Sequence, residues 1–323
     1  METEHSLWEK WCAGADGVLT FQNARSAFAH ILRHVAPRRV WLPAYCCSDL
    51  TEAANFSAAP LQFYHSDAGL MPDTAALSEV LCPGDLVLGI NHFGRPAEAL
   101  RPLAAHRKDV TWVEDCAQSV STAAAPWAPF RIYSPRKLLG VPDGGLLIDS
   151  GGRLPFPVQR PASSATLRHA GLMRQRDYGD LENARWYAAF QRAEAQMGVS
   201  DLAMSTQTAR ILRTTSIATL AAVRRQNYAH LHAALAPWAL WPDPAPTWVP
   251  LGFPLRVQDA GAICAALAEH RIFAPRHWRD LGSDEPCIAE MALMRELVTL
   301  PCDQRYDLAD MDRIIDVLRL LLP

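Results

Sequence analysis

Asp85–Asn91 reads DLVLGIN, a near-continuous apolar run of single-strand length. A strand with one wet face alternates apolar and polar residues, whereas a strand covered on both faces is apolar throughout. The run therefore predicts an internal strand of a parallel sheet. The same pattern repeats outward from it. Val110–Glu114 (VTWVE) is the next strand downstream, with a helical stretch at Pro96–His106 between the two. Upstream lie strand candidates at Val40–Leu42 and Leu61–Tyr64, and helical stretches at Ser26–His34, Asp49–Asn55 and Thr74–Leu81. Gly145–Ile148 continues the series as a fifth strand candidate. Strand–helix–strand alternation predicts an α/β fold with a mainly parallel sheet.

The second half has a different texture. Leu181–Met197 and Thr206–Leu235 are long helical patterns, and prolines punctuate the chain from Pro237 to Pro250. A strand around Phe253–Val257, a helix at Asp259–His270 and a last helix at Leu308–Leu322 follow. This predicts a large domain over residues 1–235 and a small C-terminal α/β domain over residues 236–323. Gly151–Ser164, rich in Gly, Pro and Ser, reads as a mobile loop.

Composition excludes several classes. With 323 residues, 50% hydrophobic and 20% charged, the chain has an ordinary globular balance. A net charge of −3 and the lack of a basic stripe argue against nucleic acid. The N-terminus METEHSLWEKWC has no apolar signal region, and no stretch approaches the roughly 20 apolar residues of a membrane span. A soluble, cytoplasmic protein is expected. No pair among the eight cysteines has C-x-x-C spacing, and the eleven histidines form no ligand cluster on one helix, so no metal site is expected.

Ligands of open parallel sheets bind beyond the carboxyl ends of the strands. Candidate residues gather at those ends: His92 after DLVLGIN, Asp115 and Gln118 after VTWVE, and Ser134 and Lys137 after Phe130–Tyr133. Asn23–Ala27 opens the first long helix. A lysine amine can condense with an aldehyde and then carry a proton at the substrate carbon. A carboxylate can keep a pyridine nitrogen protonated, and a helix N-terminus with a hydroxyl can hold a phosphate. Lys137, Asp115, and Ser26 with Ser134 are the candidates for those parts.

The segments VEDCAQS (Val113–Ser119) and YSPRKLLGVPDGGLLI (Tyr133–Ile148) resemble the DegT/DnrJ/EryC1/StrS family of pyridoxal-phosphate-dependent sugar aminotransferases. WLPAY (Trp41–Tyr45), NHFGRP (Asn91–Pro96), Met204–Ser205, RRQNY (Arg224–Tyr228) and LPCDQRY (Leu300–Tyr306) match further marks in the same order, so the resemblance covers nearly the whole chain. It implies an aspartate-aminotransferase-like fold (pyridoxal-phosphate fold type I), the cofactor pyridoxal 5'-phosphate, and a homodimer. It also implies roles. Lys137 would hold the cofactor as a Schiff base, Asp115 would pair with the pyridine nitrogen, and Gln118 would sit near the phenolic oxygen. Ala24, Arg25 and Ser26 would stand at the phosphate, together with Ser134. The implied reaction moves an amino group from an amino acid, glutamate first among candidates, to a ketone or aldehyde, with a nucleotide-linked sugar as one such acceptor.

The chain also departs from the family pattern. Ile132 occupies the position of the family's serine, leaving Ser134 three residues before the lysine. The position of the family's stacking aromatic falls near Cys47, which points to Tyr45 or His92 for that part. Gly198-Val199-Ser200 stands where the family has an asparagine for the partner's phosphate. His277 and Trp278 are candidates for lining the pocket from the small domain, and Asp143 for shaping the turn before Gly144. Two alternatives stay open: a dehydratase or lyase of the same fold, and a non-catalytic homologue that acts as a binding protein.

Overall fold

The computed structural model describes residues 5–120, 126–157, 160, 183–281, 283 and 286–323. Its first part runs α1 (Leu7–Cys12), β1 (Gly17–Phe21), α2 (Ala24–Val35), β2 (Val40–Pro43), α3 (Ser48–Ala54), β3 (Leu61–Tyr64), α4 (Thr74–Val80), β4 (Leu86–Ile90), α5 (Leu100–His106), β5 (Thr111–Asp115), β6 (Phe130–Tyr133) and β7 (Gly145–Asp149). Its second part runs α6 (Asn183–Ala195), α7 (Thr206–Thr214), α8 (Ile217–Leu235), β8 (Phe253–Arg256), α9 (Ala260–Glu269), α10 (Ile288–Glu296), β9 (Leu297–Leu300) and α11 (Leu308–Leu321).

The seven strands β1–β7 form one sheet in the order β1-β7-β6-β5-β4-β2-β3. Strands β3, β2, β4, β5 and β6 pair in parallel, while β7 runs antiparallel to both β6 and β1. All five residues of β4 are buried, because alternate side chains enter opposite layers. Leu86, Leu88 and Ile90 join a core with Phe28, Ile31 and Leu32 of α2. Val87 joins the other layer, with Trp41, Leu100 and Trp112. The sheet is thus covered on both sides, as the apolar run requires.

Helix α2 sets the edge of the future site. Asn23 caps it by accepting from the Ser26 amide at 2.8 Å, and its far end closes on Ala36 in a left-handed conformation (φ 46°). A side chain at Gly145 would place its Cβ 2.2 Å from the Asn23 carbonyl oxygen and 2.7 Å from the Ala24 nitrogen. Glycine is therefore what lets the start of α2 lie against β7.

The second sheet pairs β8 with β9 antiparallel. Its core combines Leu231 and Leu235 of α8, Phe253, Leu255, Val298 and Leu300 of the strands, and Met311, Ile314 and Leu318 of α11. Helix α8 joins this core to the first one, because Leu220 and Ala221 pack with Leu7, Trp11 and Tyr133. The RRQNY and LPCDQRY stretches meet here. Arg224, buried, donates to Gln304 Oε1 at 2.8 Å and to the Pro250 and Leu251 carbonyls at 2.9 Å. Asn227 donates to the Tyr306 carbonyl at 2.9 Å.

The sequence reading needs correction in several places. The pattern over Thr206–Leu235 is two helices, because Ser216 caps a new one and Thr215 accepts from the Leu7 amide at 3.0 Å. The helix sought at Pro96–His106 begins at Leu100, since the Ala97 amide is taken by Asn91 Oδ1 at 2.8 Å. α1, β1, α10 and β9 were not anticipated. Of the loop at Gly151–Ser164, positions 158–159 and 161–164 lie outside the described residues, as do the first two positions of the Leu181–Met197 pattern.

The contact at Gly145 has a direct test. Gly145→Ala should destabilise the protein by about 1–3 kcal/mol or more by overpacking against backbone. Gly140→Ala, with nothing within 4 Å of its added Cβ, should change stability little. Urea unfolding of both variants measures this, and an equal effect would remove the close-approach argument.

Candidate active site

The sheet order reverses at β2, from which the chain proceeds outward to β3 on one side and to β4 on the other. The carboxyl ends of β2, β4, β5 and β6 are neighbours at this point, where an open α/β sheet leaves a crevice. Each of these strands delivers a candidate side chain to it.

Asp115 is the last residue of β5 and is only 8% exposed. Its carboxylate accepts from the Ala117 amide at 2.8 Å. Burial pushes this carboxyl above its ordinary range, while the Lys137 amine and the Ala117 N–H pull it back. Lys137 ends a short 3-10 turn, Pro135–Lys137, that follows β6, and its side chain is exposed at the mouth of the site. The positive charge of Lys137 acts on Asp115, Cys47, His92 and His277 together.

Gln118 is 1% exposed, and its Oε1 accepts from the Phe93 amide at 2.6 Å. Its Nε2 is buried with no hydrogen-bond partner. Buried donors are seldom left unpaired, so this one marks a place for an acceptor. Ser134, buried, stands at the end of β6 and makes no capping bond to the turn that follows.

Tyr45, His92, His277 and Trp278 make the opposite wall. The Tyr45 hydroxyl donates to the His277 carbonyl. His92 Nε2 lies 3.1 Å from the Tyr45 carbonyl oxygen, and the Trp278 ring lies 5.3 Å from that of Tyr45 and 5.8 Å from that of His92. His277 Nδ1 bonds Thr299 Oγ1 of β9 at 2.9 Å. Burial drives His92 down to about 4, with Lys137 adding to the effect against the Tyr45 carbonyl. Burial, Lys137 and His92 drive His277 down to about 3. Both imidazoles are neutral at neutral pH. His277 and Trp278 thus come from the second half of the chain to lie against Tyr45 and His92.

The first turn of α2 is arranged differently from the expectation. Arg25 turns its guanidinium to Glu52 at 3.0 Å, to Asp49 at 3.3 Å and to the Met197 carbonyl. The Ser26 hydroxyl donates to Asn23 Oδ1 at 2.9 Å and accepts from the Ser200 amide at 3.0 Å. The Ser26 amide is taken by Asn23 as well. The segment around Met197–Leu202 thus lies across this helix start, with the Gln22 amide donating to the Leu202 carbonyl at 2.8 Å. Ala24 begins α2 as anticipated. Asp143 anchors the start of α7, accepting from the Ser205 hydroxyl at 2.9 Å and the Thr208 hydroxyl at 2.6 Å.

Two residues near the site were given no part from the sequence. Cys47 lies in the field of both Lys137 and Asp115, and burial pushes its thiol up. Arg136, beside Lys137, is brought down to about 10 by burial and by Arg25, and it pairs with Glu194. No short motif marks either one; only the fold brings them here.

The fold is that of the aspartate-aminotransferase type. DesV from S. venezuelae matches 97% of this chain and 86% of its own at 18% identity, with a TM-score of 0.69. The sugar aminotransferase Spr1654 from Streptococcus pneumoniae, in its PLP form, matches 97% and 90% at 14% identity and 0.69. A DegT DnrJ EryC1 StrS aminotransferase from Brucella abortus matches 97% and 88% at 16% identity and 0.65. No family model matches the sequence, and no curated protein sequence matches it significantly.

The two depressed histidines predict a pH effect. In the unfolded chain they take up protons as pH falls through about 6.5, and in the folded chain His92 does so only near 4. The stability that their neutrality contributes is present above pH 6.5 and is lost as pH falls toward 4. Each contributes a slope of up to about 1.4 kcal/mol per pH unit in that window. Unfolding of His277→Gln between pH 4.5 and 7 should show a flatter dependence than the parent, and an unchanged slope would contradict a half-buried His277 held neutral.

Proposed function

We propose that this chain is a pyridoxal-phosphate-dependent aminotransferase acting on an amino-acid donor, glutamate first among candidates, and on a ketone or aldehyde acceptor of the nucleotide-linked sugar class. One observation carries the reading: the positive charge of Lys137, on the turn after β6, reaches the buried carboxylate of Asp115 at the carboxyl end of the adjacent parallel strand β5. The unpaired Nε2 of Gln118 lies one turn from that carboxylate. The fold's neighbours include a sugar aminotransferase in its PLP form.

The residues fit the ring end of the cofactor. Lys137 would carry it on its amine, Asp115 would face its ring nitrogen, and Gln118 Nε2 would find its missing acceptor in the ring oxygen. The phosphate end would be held by Ser134 and the opening backbone of α2. When bound, pyridoxal phosphate supplies an aldehyde for amines and a protonated ring that draws electrons from the substrate carbon.

The protein's own residues supply the rest. Burial raises the proton affinity of Asp115, so its ionised form persists where a cation stands beside it. Lys137, once its amine is free, takes the proton from the substrate carbon and returns it at the second position. His92 and His277 are neutral, so they neither add charge beside Lys137 nor hold a proton that must move. The Tyr45, His92 and Trp278 rings keep water from one side of the site.

A second reading, that of a binding protein without turnover, is favoured by the Ser200 amide on the Ser26 hydroxyl at the start of α2. A donor half-reaction separates the two. Protein loaded with pyridoxal phosphate and given glutamate alone should release one equivalent of 2-oxoglutarate per site. Lys137→Ala should abolish the release, and Asp115→Asn should slow it by roughly 10²–10⁴ while the fold is retained. If the cofactor binds and no donor in a panel of amino acids is consumed, the aminotransferase reading fails.

The working unit we propose is a cytoplasmic homodimer. Tyr187 and Phe190, three residues apart on α6, are 49% and 37% exposed, which supports a covering partner. Among the described residues no helix is long and apolar enough to cross a membrane. Sedimentation equilibrium should give about twice the 35.7 kDa chain mass. A fully active monomer would overturn this assembly.

A further inference from the structure

Glu290 is completely buried, and nothing in the proposed reaction uses it. It sits in the first turn of α10. Its Oε2 accepts from the Cys287 amide at 2.8 Å, and its Oε1 accepts from the Ser66 amide at 3.1 Å. Two backbone donors therefore fix the carboxylate in place. Buried carboxylates call for a positive partner. Among the described residues the ion-pairing group at Glu290 is the imidazole of His65, whose Nδ1 lies 3.1 Å from Oε2. No lysine or arginine pairs with it there.

A third donor completes the cluster. A ligand atom from each of His65, Cys287 and Glu290 lies within 4.8 Å of the other two. Imidazole, thiol and carboxylate are the donor set of borderline-soft divalent ions, and three such groups with one open position suit tetrahedral Zn²⁺. The His65 side chain is 50% exposed, so the open position faces solvent. The amides of Ser66 and Cys287 take the part of outer partners that orient a ligating carboxylate.

We propose that His65, Cys287 and Glu290 form a Zn²⁺ site. It ties the end of β3, at the edge of the first sheet, to the start of α10, which leads into the second. Binding releases the Cys287 thiol proton to solvent for a metal–sulfur bond, and a proton shared between His65 Nδ1 and Glu290 leaves to solvent or moves to Nε2, so that Nδ1 and the carboxylate face the metal. The tie lies next to the candidate active site. Leu293 of α10 packs in one cluster with Tyr45 and Phe93, so a metal at the head of α10 would brace the wall of the pocket.

The test uses the full chain, reduced and stripped with chelator, titrated with Co²⁺ and then with Zn²⁺. One equivalent of Co²⁺ should give sulfur-to-metal charge-transfer absorption, Zn²⁺ should displace it, and Zn²⁺ should raise the melting temperature. Cys287→Ser should lose the charge-transfer band. His65→Ala alters a half-exposed side chain, so the fold should persist, and it should weaken Zn²⁺ binding by more than the roughly 10–100-fold typical of outer partners. Absence of stoichiometric binding, or wild-type affinity in both variants, would overturn the site. Neither result depends on the aminotransferase reading, because the readout is metal binding without cofactor or donor.

Discussion

A carboxylate held out of water at the end of a central strand is the constraint on which the rest of the site depends. Asp115 keeps one hydrogen bond, to the Ala117 amide, and otherwise relies on the charge of Lys137. An isolated buried ion is too costly to keep, so such a group either takes up a proton or gains a cation. The parallel pairing of β5 with β6 fixes where that cation comes from, because Lys137 sits on the turn that follows β6. The neutral His92 and His277 belong to the same balance. Burial depresses each of them first, and the charge of Lys137 adds to that effect, while at Asp115 the same amine works against burial.

This also explains why the site needs both parts of the chain. The strand ends supply Asp115, Gln118, Ser134 and Lys137, but the low-dielectric wall facing them includes His277 and Trp278 beyond β8. Arg224 and Asn227 secure that arrangement from α8 by bonding the carbonyls of the prolyl segment and of the loop before α11. At the start of α2, Asn23 and the Ser200 segment satisfy the groups that a phosphate would otherwise meet. A phosphate bound there would share that helix start with the protein's own residues.

The sheet was legible where burial was two-sided. DLVLGIN announces itself because Leu86–Ile90 carries no polar side chain, and VTWVE because it repeats the strand length after an intervening helical stretch. β1 and β9 were not. GVLTF is short, and no strand–helix–strand rhythm precedes it at this end of the chain, while LVTL runs straight out of α10 at Glu296 with no glycine or proline between. The division of Thr206–Leu235 was hidden for the same reason, since a Thr-Ser pair breaks the helix only through the Ser216 cap. In the candidate site, Asp115, Gln118 and Lys137 were readable because they fall within one short stretch with known chemistry. The pairing of Arg136 with Glu194, the exposure of Cys47 to the charges of Lys137 and Asp115, and the His65–Cys287–Glu290 cluster required the fold, because the partners are far apart in the chain. The engagement of Arg25 with Glu52 and Asp49 was equally invisible, as charge pairs between helices leave no spacing signal.

The central claim is that Lys137 is the amine built to hold an aldehyde cofactor, and the sequence makes the test sharp: the chain has three lysines, Lys10, Lys108 and Lys137. Lys10 lies on the short α1, and Lys108 donates to the Ala104 carbonyl at 3.3 Å on the far side of the sheet's strand ends. The most direct measurement is reduction of the pyridoxal-phosphate-treated protein with borohydride, followed by digestion and peptide mass analysis. The account predicts one label per chain, on the peptide containing Lys137. A label on Lys10 or Lys108, or none at all, would contradict it.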